Sequence, residues 1–248
     1  MNRPQSPSAL ASDASALFLA ETIDGLNQGA NFLAQLSEGA LETLRRKGTQ
    51  ILVPSGGSVF FQGDRHEGIW LIEEGIVRTF YAAPSGREMT LAYWTAGHFV
   101  GGPEIFGGGQ HIWSADVTQN SRLLYLPAAA IRGLIETQPS FALCLIEGLV
   151  AKGKCYSALA QMLGTRSVVE RLAQLLVILA ENHGRRDGNR LVIERKITHD
   201  QIATIVGSTR QWVTITLDKF QKKGIISVGR QSIIIDRYDL LMAQVNSE

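Results

Sequence analysis

The chain has 248 residues, room for two domains of roughly 100–200 residues each. With 45% hydrophobic and 19% charged residues, 25 glycines and a mean hydropathy of +0.04, it lies in the globular range, which excludes disordered and collagen-like chains. The formal net charge of +1 conceals an asymmetry: residues 1–164 carry net −3, residues 165–235 net +6 and residues 236–248 net −2. A basic excess concentrated in one region is the electrostatic footprint of nucleic-acid binding, the plainer alternative being a solvated basic surface. No run approaches the roughly 18 apolar residues of a membrane span. The stretch Ala16–Ala20, with acids at Asp13 and Glu21, lacks the basic start and apolar core of a secretory signal, so a cytoplasmic protein without membrane contact is expected. Cys144 and Cys155, eleven apart in a helical pattern, read as reduced thiols.

In chain order, residues 1–28 are rich in Ser, Ala and Gly with little periodicity and read as a flexible arm. Residues 31–46 suit a short helical region. From Gln50 to Leu126 the pattern changes to short β-branched and aromatic runs, at 51–53, 59–61, 69–72, 77–81, 90–94 and 123–126. Turn residues separate them at intervals of about 8–12, the spacing of a jelly roll, here assigned to residues 29–138. A short helix at 128–137 stops before Pro139, because a residue preceding proline avoids the helical region. The pattern then predicts a long helix over 140–162, within a segment 139–164 that includes a hinge. Its apolar residues Phe141, Leu145, Leu149, Tyr156 and Leu159 exceed what one jelly roll covers, so they are assigned to dimerisation with a second copy, packing on the chain's own domain being the alternative. Gly148 and Gly153 each cost about 1 kcal/mol relative to Ala in a helix, which points to close approach or a flexible point.

Residues 165–248 form the last unit. A helix runs through Glu181, followed by a turn at 184–188 and a strand at 191–193. Two capping-box patterns, Thr198 with Gln201 and Ser208 with Gln211, start two helices ten residues apart. Ala203, Gly207 and Val213 supply the small crossing residue, the turn and the packing residue of a helix-turn-helix. The second helix would enter the major groove by its N-terminus, so Thr209, Arg210, Gln211 and Thr214 are the base-reading candidates, Arg suited to guanine and Gln to adenine. Thr198, Ser208, Lys219, Lys222, Lys223 and Arg230 are the phosphate candidates. The hairpin 225–235 with Arg230 at its tip completes a winged helix-turn-helix. The fold class is therefore α+β: N-terminal β jelly roll, long dimerisation helix, C-terminal winged helix-turn-helix.

In this order of units, and in the motifs Phe61-Gln62-Gly63-Asp64, Leu71 to Arg78, Gly86-Arg87-Glu88-Met89, Gly97-His98-Phe99-Val100-Gly101 and Ile205 to Arg210, the chain resembles the CRP/FNR superfamily of bacterial transcription regulators over about residues 30–240. The resemblance implies a homodimer on a pseudo-palindromic site in double-stranded DNA, an RNA polymerase partner, and a small effector in the jelly roll that reorients the DNA-binding units. Cyclic-AMP-binding relatives carry a Glu after the glycine and an Arg-Ser pair. Gly102, Trp113 and Ser114 stand at those positions, and without the arginine a buried phosphate has no bidentate cation. The effector pocket is placed at Gly101, Gly102, Trp113, Ser114, Tyr156 and Ser157, suited to a poorly charged or aromatic ligand; Trp113 and Tyr156 filling a vacated pocket is the alternative.

No cysteine precedes Cys144, which excludes the N-terminal iron–sulfur cluster of oxygen-sensing relatives. No cofactor or metal is assigned; a haem on His98 or His111, or a thiol switch at Cys144 or Cys155, are the remaining options. Two other readings stand beside the regulator. One is a cupin-type metalloenzyme, which needs clustered His and carboxylate ligands. The other is an effector-independent DNA-binding protein.

Overall fold

Alternation of inward apolar and outward polar side chains between Thr49 and Pro127 builds two four-stranded antiparallel sheets. The computed structural model describes residues 36–102, 108–194, 197–229 and 232–245, the side chains of 182 and 183 excepted; the expected arm at 1–28 and Arg230 lie outside them. One sheet has the order β1 (Thr49–Val53), β8 (Ser121–Pro127), β3 (Gly68–Glu74), β6 (Phe99–Gly101). The other runs β2 (Ser58–Phe60), β7 (Ser114–Val117), β4 (Ile76–Ala82), β5 (Glu88–Thr95). The sequence pattern does not announce β6 or β7. Phe99, Val100 and Gly101 are all buried, so no alternation marks them, and Ser114-Ala115-Asp116-Val117 carries a single β-branched residue.

Phe60, Ile72, Val77, Trp94, Val100, Val117 and Leu123 fill one core. A second core joins Ile69, Leu71, Phe99 and Leu124 to α1 (Glu38–Lys47), α2 (Ala128–Thr137) and α3 (Pro139–Thr165). Helix α2 has the expected bounds, and Pro139 begins α3, where its missing N–H costs nothing. The 27 residues of α3 extend roughly 40 Å at about 1.5 Å per residue. Gly148 marks close approach: a Cβ there would lie 2.5 Å from Phe99 Cε1, whereas one at Gly153 meets nothing within 4 Å.

The exposed face of α3 is not the one assigned to dimerisation from the sequence. Phe141, Leu145 and Leu159 are buried against their own chain, and Tyr156 packs into the first core; of the five, Leu149 alone is exposed. The exposed large residues are Leu143, Ile146, Leu149 and Val150. Leu143, Ile146, Val150, Gly153, Ser157 and Ala160, all exposed, follow one another at alternating steps of three and four, the seam of a coiled coil. Because α3 is apolar on two faces, periodicity finds the helix and cannot say which stripe meets the sheets.

Helix α4 (Val168–His183) starts at a Ser167–Glu170 capping box. After it come β9 (Gly184–Asp187), β10 (Arg190–Ile193), α5 (His199–Val206), α6 (Arg210–Lys222), β11 (Ile226–Val228), β12 (Ile233–Ile235) and α7 (Tyr238–Val245). Residues 184–187 pair with β10 as a strand, and the turn moves to Gly188, at φ 61°. The sheet order β11-β12-β10-β9 makes the wing hairpin continuous with this earlier one. Helix α7, eight residues long, is too short to show a period in the sequence. Leu172, Leu176, Ile202, Val206, Val213, Leu217, Phe220 and Ile235 fill this third core, together with Tyr93 from β5.

Strand β5 and the turn before it hold the helical unit directly. Arg87 Nη2 donates to the Gly207 carbonyl at 2.6 Å, and Thr90 Oγ1 donates to Thr204 Oγ1 at 3.0 Å.

Gly148→Ala is expected to destabilise by about 1–3 kcal/mol through overpacking on Phe99. Gly133→Ala in α2, where a Cβ meets nothing within 4 Å, is expected to stabilise by up to about 1 kcal/mol. Urea titrations of both variants check the contrast.

Candidate nucleic-acid interface and effector site

Two short helices crossing at a glycine set the reading surface. Thr198 and Gln201 form the expected reciprocal capping box at the start of α5. Gly207 ends the helix in the left-handed region, φ 64° and ψ 45°, where a side chain would be strained. The second cap is Thr209, whose hydroxyl accepts from Trp212 N at 3.2 Å, and not Ser208. The Ser208 amide is still bonded to the Ala203 carbonyl of α5, so the next helix starts one residue later than the motif suggests.

Thr209, Arg210 and Gln211 are exposed at the start of α6, with Thr214 half-buried one turn on. Arg210 pairs with Asp200 at 3.4 Å. The Thr214 hydroxyl donates to the Arg210 carbonyl at 3.0 Å and meets His199 Nδ1 at 2.8 Å. With its only hydrogen given to the carbonyl, that hydroxyl accepts from His199, which places the imidazole proton on Nδ1. His199 and Asp200, in the first turn of α5, thus orient two of the four reading candidates; the sequence reading missed both. Lys219, Lys222 and Lys223 are exposed at the far end of α6. Ser208 is half-buried in the turn, and Thr198 is exposed but engaged in its cap.

The jelly-roll candidates do not all meet. Gly101, at φ 90°, sits where a Cβ would touch the Trp70 ring at 3.0 Å, and one on Gly102 would lie 2.3 Å from His66 Cε1. Trp113 and Tyr156 are in contact, ring centroids 5.8 Å apart, and Tyr156 meets the edge of Trp94 at 6.4 Å. Ser114 is buried, its hydroxyl accepting from Gln62 N at 2.9 Å. Ser157 is exposed on the opposite face of α3, which removes it from the pocket: one residue along a helix rotates a side chain by about 100°.

The residue the sequence reading missed is Lys152, one turn before Tyr156. It is buried, with Nζ 3.8 Å from the centroid of Trp94 and 4.8 Å from that of Phe99. Burial lowers its ammonium to about pKa 7, and only the neighbouring Cys155 acts the other way. Burial likewise pushes the Cys155 thiol up to about 12 against the pull of Lys152, and raises Cys144. Both cysteines are buried and neither forms a disulfide. The two haem candidates have other contacts. His98 Nδ1 lies 3.1 Å from the Thr95 carbonyl oxygen, and burial takes that imidazole down to about 4. His111 stacks on Phe60 at 3.8 Å and meets His66 at 3.9 Å.

Comparison with known proteins follows this division of the chain. Residues 50–138 match the cyclic nucleotide-binding domain family and residues 170–243 the Crp-like helix-turn-helix domain family. The chain belongs to the CRP/FNR superfamily of transcription regulators. It is 26% identical over 214 residues to the CRP-like cAMP-activated global transcriptional regulator of Mycobacterium tuberculosis, covering 86% of this chain and 95% of that one. It is 25% identical over 214 residues to the global nitrogen regulator of a Nostoc species, covering 84% and 92%. Among solved structures, the c-di-GMP-responsive global regulator CLP of Xanthomonas campestris superposes with a TM-score of 0.72 at 19% identity, over 80% of this chain and 99% of that one. These families and relatives are regulators, not enzymes, so the cupin reading is set aside. No helix among the described residues is long and apolar enough to cross a membrane.

In this CRP/FNR chain the Lys152 ammonium makes stability depend on pH. Its folded value of about 7 lies below the ordinary 10.5, so between these the unfolded chain binds more protons and stability rises with pH. Cys155 works in the opposite sense only above its ordinary value of 9.0. The melting temperature of the wild type is therefore expected to rise relative to that of Lys152→Met between about pH 7 and 9, measured by calorimetry.

Proposed function

We propose that this CRP/FNR protein is a cytoplasmic homodimer that reads a pseudo-palindromic DNA site with α6, contacts RNA polymerase there, and is controlled by a small effector in the jelly roll. The observation that carries the DNA reading is the exposed start of α6, where Arg210 and Gln211 stand in a region of net +6 whose lysines 219, 222 and 223 are exposed at the other end of the same helix. Arg210 reads guanine in the major groove, with Gln211, Thr209 and Thr214 beside it. The lysines at 219, 222 and 223, with Thr198, Ser208 and Arg230, meet phosphates and set the register.

Support for the homodimer is the exposed seam Leu143, Ile146, Val150, Gly153, Ser157, Ala160. Its first half is large and apolar, and its second half small, so two copies of α3 would pack side by side and converge toward the DNA-binding units. An effector other than cAMP is favoured because Gly102 and Trp113 stand where cAMP-binding relatives hold ribose and phosphate. The contact of Trp113 with Tyr156 also suits an effector-independent regulator. A ligand that changes operator affinity separates the two, since an effector must bind the two states differently.

Arg210→Ala is expected to cost roughly 1–3 kcal/mol on the specific site and to relax one base position. Lys223→Ala is expected to weaken binding to every sequence and to lower the salt slope by about one unit. Fluorescence anisotropy on selected and random duplexes checks both; equal loss on the two duplexes for the Arg210 change would remove it from base reading. Ile146→Glu is expected to weaken the dimer by about tenfold or more, because an unpaired carboxylate in an apolar seam costs at least ~1.4 kcal/mol. Sedimentation equilibrium gives the answer, and an unshifted association would move the interface elsewhere.

A further inference from the structure

Lys152 is a cation inside the jelly roll, 9% exposed, that makes no ion pair or hydrogen bond with a described residue. Its contacts are the faces of Trp94 and Phe99. Isolated buried charges are retained when something pairs with them, because desolvation outweighs what aromatic faces return. The neighbouring Tyr156 hydroxyl, buried beside Thr79, also has no hydrogen-bond partner of good geometry. Both side chains lie against Trp94, itself 1% exposed, and both come from α3. Among the described residues, then, neither the Lys152 ammonium nor, in good geometry, the Tyr156 hydroxyl has a hydrogen-bond acceptor, and both lie beside aromatic rings.

We propose that the effector is an organic acid, whose carboxylate pairs with Lys152 and accepts from Tyr156 while its apolar body lies among Trp94, Trp113 and Phe99. This rests on the reading that the jelly roll takes an effector, and names that effector's class. A neutral ligand leaves the ammonium unanswered. A phosphodiester finds one ammonium here in place of the bidentate guanidinium that suits it. A monocarboxylate matches one cation and one hydroxyl. Since Lys152 and Tyr156 belong to the helix that carries the exposed seam, drawing the ammonium off Trp94 acts directly on α3. The near-neutral ammonium described above agrees with a site whose counter-charge arrives from outside, and binding of an anion holds the proton on Lys152.

The test uses the full-length protein with benzoate, phenylacetate and phenylpropionate, each beside its primary amide, in thermal-shift and calorimetric titrations and in operator binding. At least one acid is expected to bind ten times or more tighter than its amide and to change operator affinity. Lys152→Met is expected to abolish that preference and, without ligand, to melt above the wild type, because a buried ammonium with no counter-charge among the described residues has been replaced by a packing side chain. Tyr156→Phe is expected to weaken the acid less than Lys152→Met does. Failure of all three acids, or an acid that binds Lys152→Met as well as wild type, overturns the proposal, as does a Lys152→Met protein no more stable than its parent. An amide or cyclic nucleotide that shifts operator affinity equally in wild type and Lys152→Met overturns the acid and leaves the effector reading standing. If no probe changes operator affinity, both fail.

Discussion

Helix α3 has to satisfy three surfaces at once, and the rest of the molecule is arranged by that constraint. Its first half presses Phe141, Cys144 and Leu145 into the core shared with α1 and α2. Farther along, Cys155 and Ala158 enter the core that contains Trp94 and Val100. Near its end, Leu163 reaches the helix-turn-helix: a Cβ on Gly207 would meet Leu163 Cδ2 at 3.2 Å. The helix can lie this close to the sheet because Gly148 lacks the atom that would strike Phe99. With the inner face committed, the exposed Leu143–Ile146–Val150 stripe is left for a partner. One rigid element of roughly 40 Å thus touches the jelly roll, the turn between the reading helices and the proposed dimer seam.

A second connection runs from the other side. Strand β5 and the turn before it grip the helical unit through Arg87 on the Gly207 carbonyl, Thr90 on Thr204, and Tyr93 in the helical core. A hydrogen bond from a charged donor is worth roughly 1.5–3 kcal/mol net, and less where solvent reaches it, as here. That range matches the 1–3 kcal/mol of coupling typical between allosteric sites. Gly207 receives both connections, Leu163 of α3 and Arg87 of the hairpin. Its left-handed backbone therefore has two duties, ending α5 and offering an unobstructed carbonyl. Arg171, buried with its Nε unpartnered and disfavoured by burial and by Arg87, lies at the same point, with Nη1 at 3.7 Å from a Cβ built on Gly207.

What the sequence discloses follows the range of the interaction. Helix α2, bounded by a strand and a proline, has its expected limits, and so does the box at Thr198 and Gln201, because both rest on neighbours a few residues apart. The second box fails by one residue since Ser208 and Thr209 can each cap, and the bond from Ser208 N to Ala203 decides. Strands β6 and β7 are buried or small throughout and lack an alternating signal. Which stripe of α3 stays exposed depends on which side the sheets occupy, a tertiary fact invisible in an apolar helix. Lys152 did leave a trace, a lone cation four residues before Tyr156 on an otherwise apolar face. Long side chains of this kind usually run out to water, and only the closure of Trp94 and Phe99 over it shows that this one does not.

The same distinction sharpens the meaning of the basic C-terminal region. Its excess of +6 counts charges that are already engaged. Arg185 pairs with Glu194, Arg190 with Asp236 and Arg210 with Asp200, and Arg166 donates to Gln174. Arg171 is buried. Lys219, Lys222 and Lys223 make no ion pair among the described residues and stand exposed on one helix end. Released counterions follow phosphates neutralised, not formal charge, so the excess of +6 is not by itself a measure of the non-specific part of DNA affinity. If Arg210 reads a base, as proposed, it must first leave Asp200, and it gains by leaving where a guanine offers two acceptors in return. On the proposed reading the pair with Asp200 is broken only at the guanine, so its cost falls there, while at other sequences it keeps the arginine from settling on a phosphate.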